Sequence, residues 1–149
     1  MTGLNHALTG ATVAVLINRP EIALPAALVS HFLVDMIPHW NYRIPGNLKK
    51  KYIAMGLDLA MSVAMLVALV IFLKGSILLI IGGGLLGIAP DLMWLPYFIT
   101  GKPSKMHKKT PLHLMRRFHL HIQWSETDRG LYLELVWFII VAALLFSLR

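Results

Sequence analysis

The feature that most limits how this chain can fold is a pair of long apolar segments in its middle. Residues 52–73 contain a single charged side chain, Asp58, and residues 77–99 also contain one, Asp91. Each segment is longer than the ~20 residues that a helix needs to cross the hydrocarbon core of a membrane. Because backbone polar groups must be satisfied internally in lipid, the sequence predicts two transmembrane helices here.

The composition of the chain also indicates a membrane protein. Hydrophobic residues make up 57% of the 149 residues, and the mean hydropathy is +0.68, whereas soluble domains are about 45–50% apolar. Shorter apolar segments at residues 4–17, 22–38 and 131–148 raise the expected number of spans to four or five. We therefore predict an all-α integral membrane helical bundle of four to five transmembrane helices, formed by residues 1–149 as one domain.

Local patterns add details to this bundle. Residues 113–124, HLMRRFHLHIQW, predict a short interfacial helix with its leucine, methionine, phenylalanine and tryptophan side chains towards the lipid. On a helix only one of His119 and His121 can face the bundle, and His119 is favoured. Small-xxx-small spacing predicts close helix packing at Gly82, Gly83, Gly84 and Gly87. An aromatic belt at the membrane interfaces is the first interpretation of Trp40, Trp94, Trp124 and Trp137.

The distribution of charge predicts the orientation of the bundle. The net charge is +7, and the cations are concentrated in residues 41–51 and 100–130. Lysine and arginine are enriched in cytoplasmic loops, so these two regions and the N-terminus are predicted to be cytoplasmic, with the Lys74 turn and Arg149 outside. Since topology explains the cations, no nucleic-acid partner is expected. The N-terminus has no basic region before its apolar run, so we expect no cleaved signal peptide.

The stretch HFLVDMIPHW at residues 31–40 is the main candidate for a functional site. It places His31, Asp35 and His39 at four-residue intervals, so a helix would carry them on one face, although Pro38 is expected to end or bend that helix. Two imidazoles and a carboxylate suit a divalent metal ion, with zinc as the first choice and manganese as the alternative. The chain has no cysteine, so histidine, carboxylate and backbone oxygen atoms are the available ligands.

The predicted topology places the ionisable groups of several segments in the cytoplasmic half of the membrane, where burying a charge is costly unless it is paired or hydrated. The predicted metal ligands are His6, His31, Asp35, Asp91 and His119. The predicted catalytic residues, with a general base among them, are Asp58 and His39. The predicted substrate-binding residues, which would hold an anionic headgroup, are Lys105, Lys108, Lys109, Arg116 and Arg117.

Structural interpretations of these residues stay open at this point. Asp35 and Asp58 could pair with a histidine or a loop lysine as packing contacts. His39 directly follows Pro38 and Asp91 directly follows Pro90, so each could cap a helix end. His6 could instead lie at the membrane interface. Glu134 could support one of the metal ligands or could also lie at the interface.

Four blocks of the sequence resemble small bacterial membrane proteins. The blocks are HALTG near the start, SHFLVDMIPHWN, GIAPDLMWLPYF and RFHLHIQW. These proteins are similar to an inner-membrane family of metal-dependent hydrolases, which has been likened to zinc-dependent phospholipase C. The resemblance implies a multi-pass protein of the bacterial inner membrane. It also implies that the polar positions of the family's motifs fall on His6, His31, Asp35, Asp91 and His119.

Three functions are compatible with these features. The first is a metal-dependent hydrolase that acts on a phosphoester or lipid headgroup at the cytoplasmic membrane face, with the ion activating a water molecule. The second is a metal or proton transporter, which would need ionisable residues through both leaflets and often contains a repeat. The third is a non-catalytic membrane scaffold in which the polar residues fix helix packing. Membrane lipids are expected partners in each case.

Overall fold

The protein is described by a computed structural model, which covers residues 1–40, 42, 48–94 and 110–147. Within these ranges the chain forms six α-helices and no β-strand. The helices are α1 Gly3–Ile17, α2 Pro20–Asp35, α3 Leu48–Phe72, α4 Ile77–Ile88, α5 Pro111–Ile122 and α6 Gly130–Ser147. A 3-10 helix, Ala89–Trp94, continues α4, and another, Gln123–Ser125, follows α5. The predicted all-α bundle is confirmed.

Three helical stretches are long and apolar enough to cross a membrane: Lys49–Phe72, Ile77–Trp94 and Gly130–Ser147. Helices α1 and α2 have 15 and 16 residues, which at the α-helical rise is about 23–24 Å, against a hydrocarbon core of about 30 Å. These two helices are therefore shorter than a full crossing, as the sequence predicted for residues 4–17. The count of four to five crossings stays a prediction.

Helix α1 is the central element of the bundle. It contacts α2, α3, α4 and α6. Its buried face reaches from Asn5 to Thr12 and includes Leu8, which packs in one apolar cluster with Ile80 and Leu145. Because neighbouring helices surround it, this short helix can lie in the bundle without exposing its polar ends to lipid.

Glycines bring α1 and α4 into direct backbone contact. A Cβ atom added at Gly83 would lie 2.6 Å from the carbonyl oxygen of Gly10, and one added at Gly87 would collide with the backbone carbonyl of His6. Gly83 and Gly87 are four residues apart and share a face of α4, so the predicted small-xxx-small packing is confirmed for them. This contact holds His6 against the end of α4.

Helix α5 exposes most of its large apolar side chains and buries two of its polar ones. Arg116, His119 and Ile122 recur at three-residue intervals on its buried face, whereas His121 is exposed. The predicted helix at residues 113–124 and the predicted inward position of His119 are thus found. Large apolar side chains are exposed at Leu112, Leu114, Met115, Phe118, Leu120 and Trp124.

Candidate metal centre

Five side chains from four elements meet at one end of the bundle. They are His6 of α1, His31 and Asp35 of α2, Asp91 of the 3-10 helix after α4, and His119 of α5. They form two overlapping groups, in each of which the ligand atoms lie within 4.8 Å of one another. One group is His6, His31 and Asp35, and the other is His31, Asp91 and His119. The structure therefore brings together all five residues that the sequence predicted as ligands.

The Asp35 carboxylate is the centre of the first group. Its Oδ1 lies 3.0 Å from Nε2 of His6, and its Oδ2 lies 2.8 Å from Nε2 of His119 and 3.4 Å from Nε2 of His31. The amino nitrogen of Met1 is 2.5 Å from Oδ1. The Asp35 side chain is 1% exposed and the three imidazoles are fully buried. A carboxylate and three imidazoles thus share a volume from which bulk water is excluded.

Asp91 lies at the edge of this buried group. Its Oδ1 is 3.8 Å from Nε2 of His31 and 3.7 Å from Nε2 of His119. Its side chain is 34% exposed, in contrast to the two histidines. Among the described residues, Asp91 is therefore the ligand candidate through which the buried group reaches the surface.

Backbone carbonyl groups fix the tautomers of His31 and His39. Nδ1 of His31 lies 2.7 Å from the carbonyl oxygen of Gly87, and Nδ1 of His39 lies 2.8 Å from that of Ile37. A carbonyl oxygen can only accept, so each Nδ1 carries a proton and each Nε2 presents a lone pair. A backbone carbonyl on one ring nitrogen is the usual support of a metal-binding histidine.

Two of the described histidines carry buried nitrogen atoms that have no hydrogen-bond partner within the described ranges. Nε2 of His6 is 3.0 Å from Asp35 but is not aligned for a hydrogen bond, and its Nδ1 has no partner among the described residues. Nε2 of His39 also has none, and it lies 3.9 Å from Oδ1 of Asp35. Burial lowers the pKa of His39, so its Nε2 stays a lone pair at neutral pH. Such orphaned polar atoms are rare in folded proteins, and a metal ion is one way to satisfy them.

Asp58, predicted as a general base, supports the start of α1. Its Oδ2 accepts hydrogen bonds from the Gly3 amide at 2.8 Å and the Tyr42 hydroxyl at 2.5 Å, and its Oδ1 accepts one from the Leu4 amide at 3.1 Å. The first amides of a helix have no partner within it, so this carboxylate of α3 caps α1. Burial and the Asp58 charge raise the pKa of Tyr42, which keeps its hydroxyl a donor. These contacts support a structural role for Asp58, and its catalytic role stays a prediction.

Glu134 of α6 is a second buried carboxylate with structural partners. Its Oε2 accepts hydrogen bonds from the Thr2 hydroxyl at 2.5 Å, the Thr2 amide at 3.0 Å and the Asn5 side chain at 3.1 Å. Its Oε1 accepts one from the Trp40 amide at 2.9 Å. Glu134 thereby ties α6 to the start of α1 and to the segment that follows α2. Its charge inside an apolar segment was the signal in the sequence, but the sequence did not identify these partners.

Two of the five predicted substrate-binding residues lie in the described part of the chain, and one of the two is buried while the other is exposed. Arg116 is buried, donates a hydrogen bond to the carbonyl oxygen of Met93 and lies 5.3 Å from the ring centroid of Trp94. Arg117, its neighbour, is exposed. Arg116 thus joins α5 to the 3-10 helix that carries Asp91. The other three predicted residues lie outside the described part of the chain: Lys105, Lys108 and Lys109.

Trp94 is a member of the site that the sequence did not reveal. Its indole Nε1–H donates a hydrogen bond to Nδ1 of His119 at 3.1 Å. The sequence indicated a position for Trp94 in an aromatic belt at the membrane interface and predicted no hydrogen bond from it to a histidine. The signal available in the sequence was the position of Trp94, three residues after the predicted ligand Asp91.

Comparisons of this chain with protein-family models, with curated proteins and with solved structures found no match. The resemblance to inner-membrane hydrolases therefore stays a prediction from the sequence blocks. The geometry and the donor chemistry of the site are the observations that bear on its function.

Proposed function

We propose that this protein is a membrane-embedded, metal-dependent hydrolase that acts on a phosphoester or lipid headgroup at the cytoplasmic face of a bacterial inner membrane. The observation that carries the proposal is the buried group of His6, His31 and Asp35, whose candidate ligand atoms lie within 4.8 Å of one another. Burying these polar groups is costly unless a partner satisfies them. A divalent ion such as zinc or manganese accepts this donor set of two imidazoles and one carboxylate.

The residues of the site would have different roles in hydrolysis. His6, His31 and Asp35 would hold the ion, and the partly exposed Asp91 would approach it from the side that is open to substrate. When bound, the ion would supply Lewis acidity towards a phosphoryl oxygen and would lower the pKa of a water molecule.

A general base is still needed, and His39 is better placed for this than Asp58. Nε2 of His39 is buried near Asp35 with its lone pair unused, whereas the oxygens of Asp58 are occupied by three donors. His39 would accept a proton from the attacking water. The exposed Arg117 and the lysines at 105, 108 and 109 would attract the anionic headgroup, as basic segments do at the cytoplasmic leaflet.

A transport function has less support in the described residues. The carboxylates of the membrane-spanning stretches, Asp58, Asp91 and Glu134, contact residues at the same end of the bundle as Asp35. An ion path would need polar groups in both halves of the membrane. In the described residues, the opposite end of the bundle has an apolar cluster that includes Leu73 and Leu145.

Metal analysis and phosphoester cleavage test the proposal together. Protein purified in mild detergent without chelator should contain a stoichiometric divalent ion and should cleave a lipid or soluble phosphoester. Chelation should abolish cleavage, and addition of the metal should restore it. Metal-free protein after growth with zinc and manganese would contradict the metal site. Metal-loaded protein that cleaves no phosphoester in a broad panel would contradict the hydrolase.

A further inference from the structure

The hydrogen bond from Trp94 to His119 determines which nitrogen of the histidine carries its proton. The indole Nε1 of Trp94 is 3.1 Å from Nδ1 of His119. An indole nitrogen donates and does not accept, so Nδ1 must present its lone pair to Trp94. A neutral imidazole has one donor and one acceptor nitrogen, so the proton of His119 resides on Nε2.

The contacts of Nε2 agree with this tautomer. Nε2 of His119 is 2.8 Å from Oδ2 of Asp35 and 3.1 Å from Nε2 of His31. Both atoms are acceptors, because Nδ1 of His31 donates its proton to the carbonyl oxygen of Gly87. The Gln123 side-chain amide, at 3.4 Å, can turn its oxygen towards the same proton. His119 therefore acts as a hydrogen-bond donor towards the candidate metal centre.

A histidine in this tautomer has no lone pair left for a metal ion. Nδ1 of His119 is used by Trp94, and Nε2 is protonated. Coordination through Nε2 would require an imidazolate anion or the loss of the bond from Trp94. His31 is the opposite case, since its carbonyl partner keeps the proton on Nδ1, and Nε2 carries the lone pair that a metal ligand requires.

We infer that His119 is a positioning residue for Asp35 and not a ligand of the metal ion, and that Trp94 fixes it in this role. Its Nε2–H holds Oδ2 of Asp35, so that Oδ1, which lies 3.0 Å from Nε2 of His6 and 2.5 Å from the amino nitrogen of Met1, is the oxygen that would face the ion in place of that amino group. The inference rests on the proposed function, because it separates the residues that bind the metal from one that orients a ligand.

Nitrogen-15 NMR of histidine-labelled protein in detergent, with cadmium-113 as the metal probe, tests the inference without a mutation. In the metal-free protein, His119 should be protonated on Nε2 and unprotonated on Nδ1. After cadmium is added, cadmium–nitrogen coupling should appear at His6 and His31 and should be absent at His119. Coupling at His119, or a proton on its Nδ1, would overturn the inference. Absence of coupling at every histidine would instead overturn the proposed metal site.

A tryptophan substitution tests the cause of the tautomer. Trp94→Phe removes the donor to Nδ1 but keeps an aromatic ring, so His119 becomes free to move its proton to Nδ1 and to couple to cadmium. Trp137→Phe is the matched control, since it removes an indole hydrogen bond to Thr9, 2.9 Å long, elsewhere in the bundle. The control should keep the wild-type coupling pattern. A Trp94→Phe protein whose His119 stays uncoupled while His31 remains coupled would show that Trp94 does not set the tautomer.

Affinity measurements separate positioning from ligation. Loss of a residue that orients a ligand weakens metal binding by about 10-fold to 100-fold. His119→Ala should show a loss of this size in cadmium affinity, and His119→Gln, which keeps an N–H donor, should recover part of it. His31→Gln should lose the bound ion. Equal loss of the ion in the His119 and His31 variants would contradict the inference.

Discussion

Asp35 faces different partners with its two carboxylate oxygens, so substitutions there affect the whole site. Asp35→Ala and His31→Ala should each abolish metal binding, because each removes a direct ligand from the buried group. The metal content of each purified variant after gel filtration measures this loss of metal binding. His121→Ala is the matched control, since His121 is an exposed histidine on α5 and should be dispensable. Full metal content in Asp35→Ala would exclude Asp35 as a ligand.

Asp58→Asn distinguishes capping from catalysis. An amide cannot accept the hydrogen bonds of Gly3, Leu4 and Tyr42 as the carboxylate does, and loss of a helix cap costs about 0.5–2 kcal/mol. The variant should therefore unfold at a lower temperature in detergent, while its metal content and its activity per folded molecule are retained. A variant of normal stability and metal content that has lost hydrolysis would restore Asp58 as the general base.

The predicted ligands could be found in the sequence because a charge or an imidazole in an apolar segment needs a partner. That argument identifies which residues are constrained, but it does not identify what they contact. Asp58 and Glu134 met the same criterion as Asp35, yet their partners are amides and hydroxyl groups, most of them at the start of α1. Trp94 could not be found in this way, since its only polar group is one N–H on a ring that is otherwise typical of a membrane interface.

At the scale of elements, Gly87 connects helix packing to the site. Its carbonyl oxygen accepts the Nδ1 proton of His31, and its Cα lies against the backbone of His6. In Gly87→Ala the new methyl group would collide with that backbone, so α1 must move away from α4 and carry His6 with it. We expect a loss of about 1–3 kcal/mol in stability, as for other overpacked sites, together with weaker metal binding.

Gly56→Ala is the control for this prediction. A Cβ atom at Gly56 would have no atom within 4 Å, and alanine has a higher helix propensity than glycine by about 1 kcal/mol. The control should be as stable as the wild type or more so, with unchanged metal binding. Thermal unfolding and cadmium titration of both variants provide the comparison. Unchanged cadmium affinity in Gly87→Ala would show that the α1–α4 contact does not position the ligands.

Prolines explain where the predicted elements differ from the observed ones. The segment at residues 22–38 was expected to be helical up to about Pro38, but α2 ends at Asp35, because the residue directly before a proline avoids the helical conformation and a helix usually ends at or before it. His31 and Asp35 keep the predicted shared face, whereas His39 lies beyond the helix. Likewise, α4 ends at Ile88 and Asp91 is carried by a 3-10 helix that contains Pro90. The sequence indicated an end or a bend at Pro38, whereas residues 77–99 were expected to form one span through Pro90, and the direction of the chain after each of these prolines depends on tertiary contacts.

At the scale of the whole molecule, the proposed ion would join α1, α2 and the 3-10 helix after α4, so its removal should lower global stability. Binding to the folded state alone stabilises it by about 2.7 kcal/mol at a metal concentration 100 times the Kd. Zinc should therefore raise the Tm of the wild type in detergent, and a chelator should reverse the shift. His31→Ala should show no zinc-dependent shift. A similar shift in His31→Ala would place the zinc effect outside this site.

The orientation of the bundle decides which side of the membrane the metal centre faces. The chain has no cysteine, so a single introduced cysteine is its only thiol. Lys49 and Lys74 are exposed residues near opposite ends of α3, whose 25 residues extend about 37 Å at the α-helical rise. Lys74→Cys should react with a membrane-impermeant thiol reagent in intact cells. Lys49→Cys and Lys108→Cys should react only after the membrane is permeabilised.

Each labelling outcome bears on the proposed substrate. Asp58 lies within three helical turns of Lys49 on α3 and caps the same end of α1 that carries His6, so the candidate metal centre lies near the Lys49 end of α3. Labelling of both Lys49→Cys and Lys74→Cys from outside would contradict a crossing by α3. Labelling of Lys49→Cys and Lys108→Cys alone in intact cells would reverse the orientation. The site would then face away from the cytoplasm, and a headgroup of the cytoplasmic leaflet could not be its substrate.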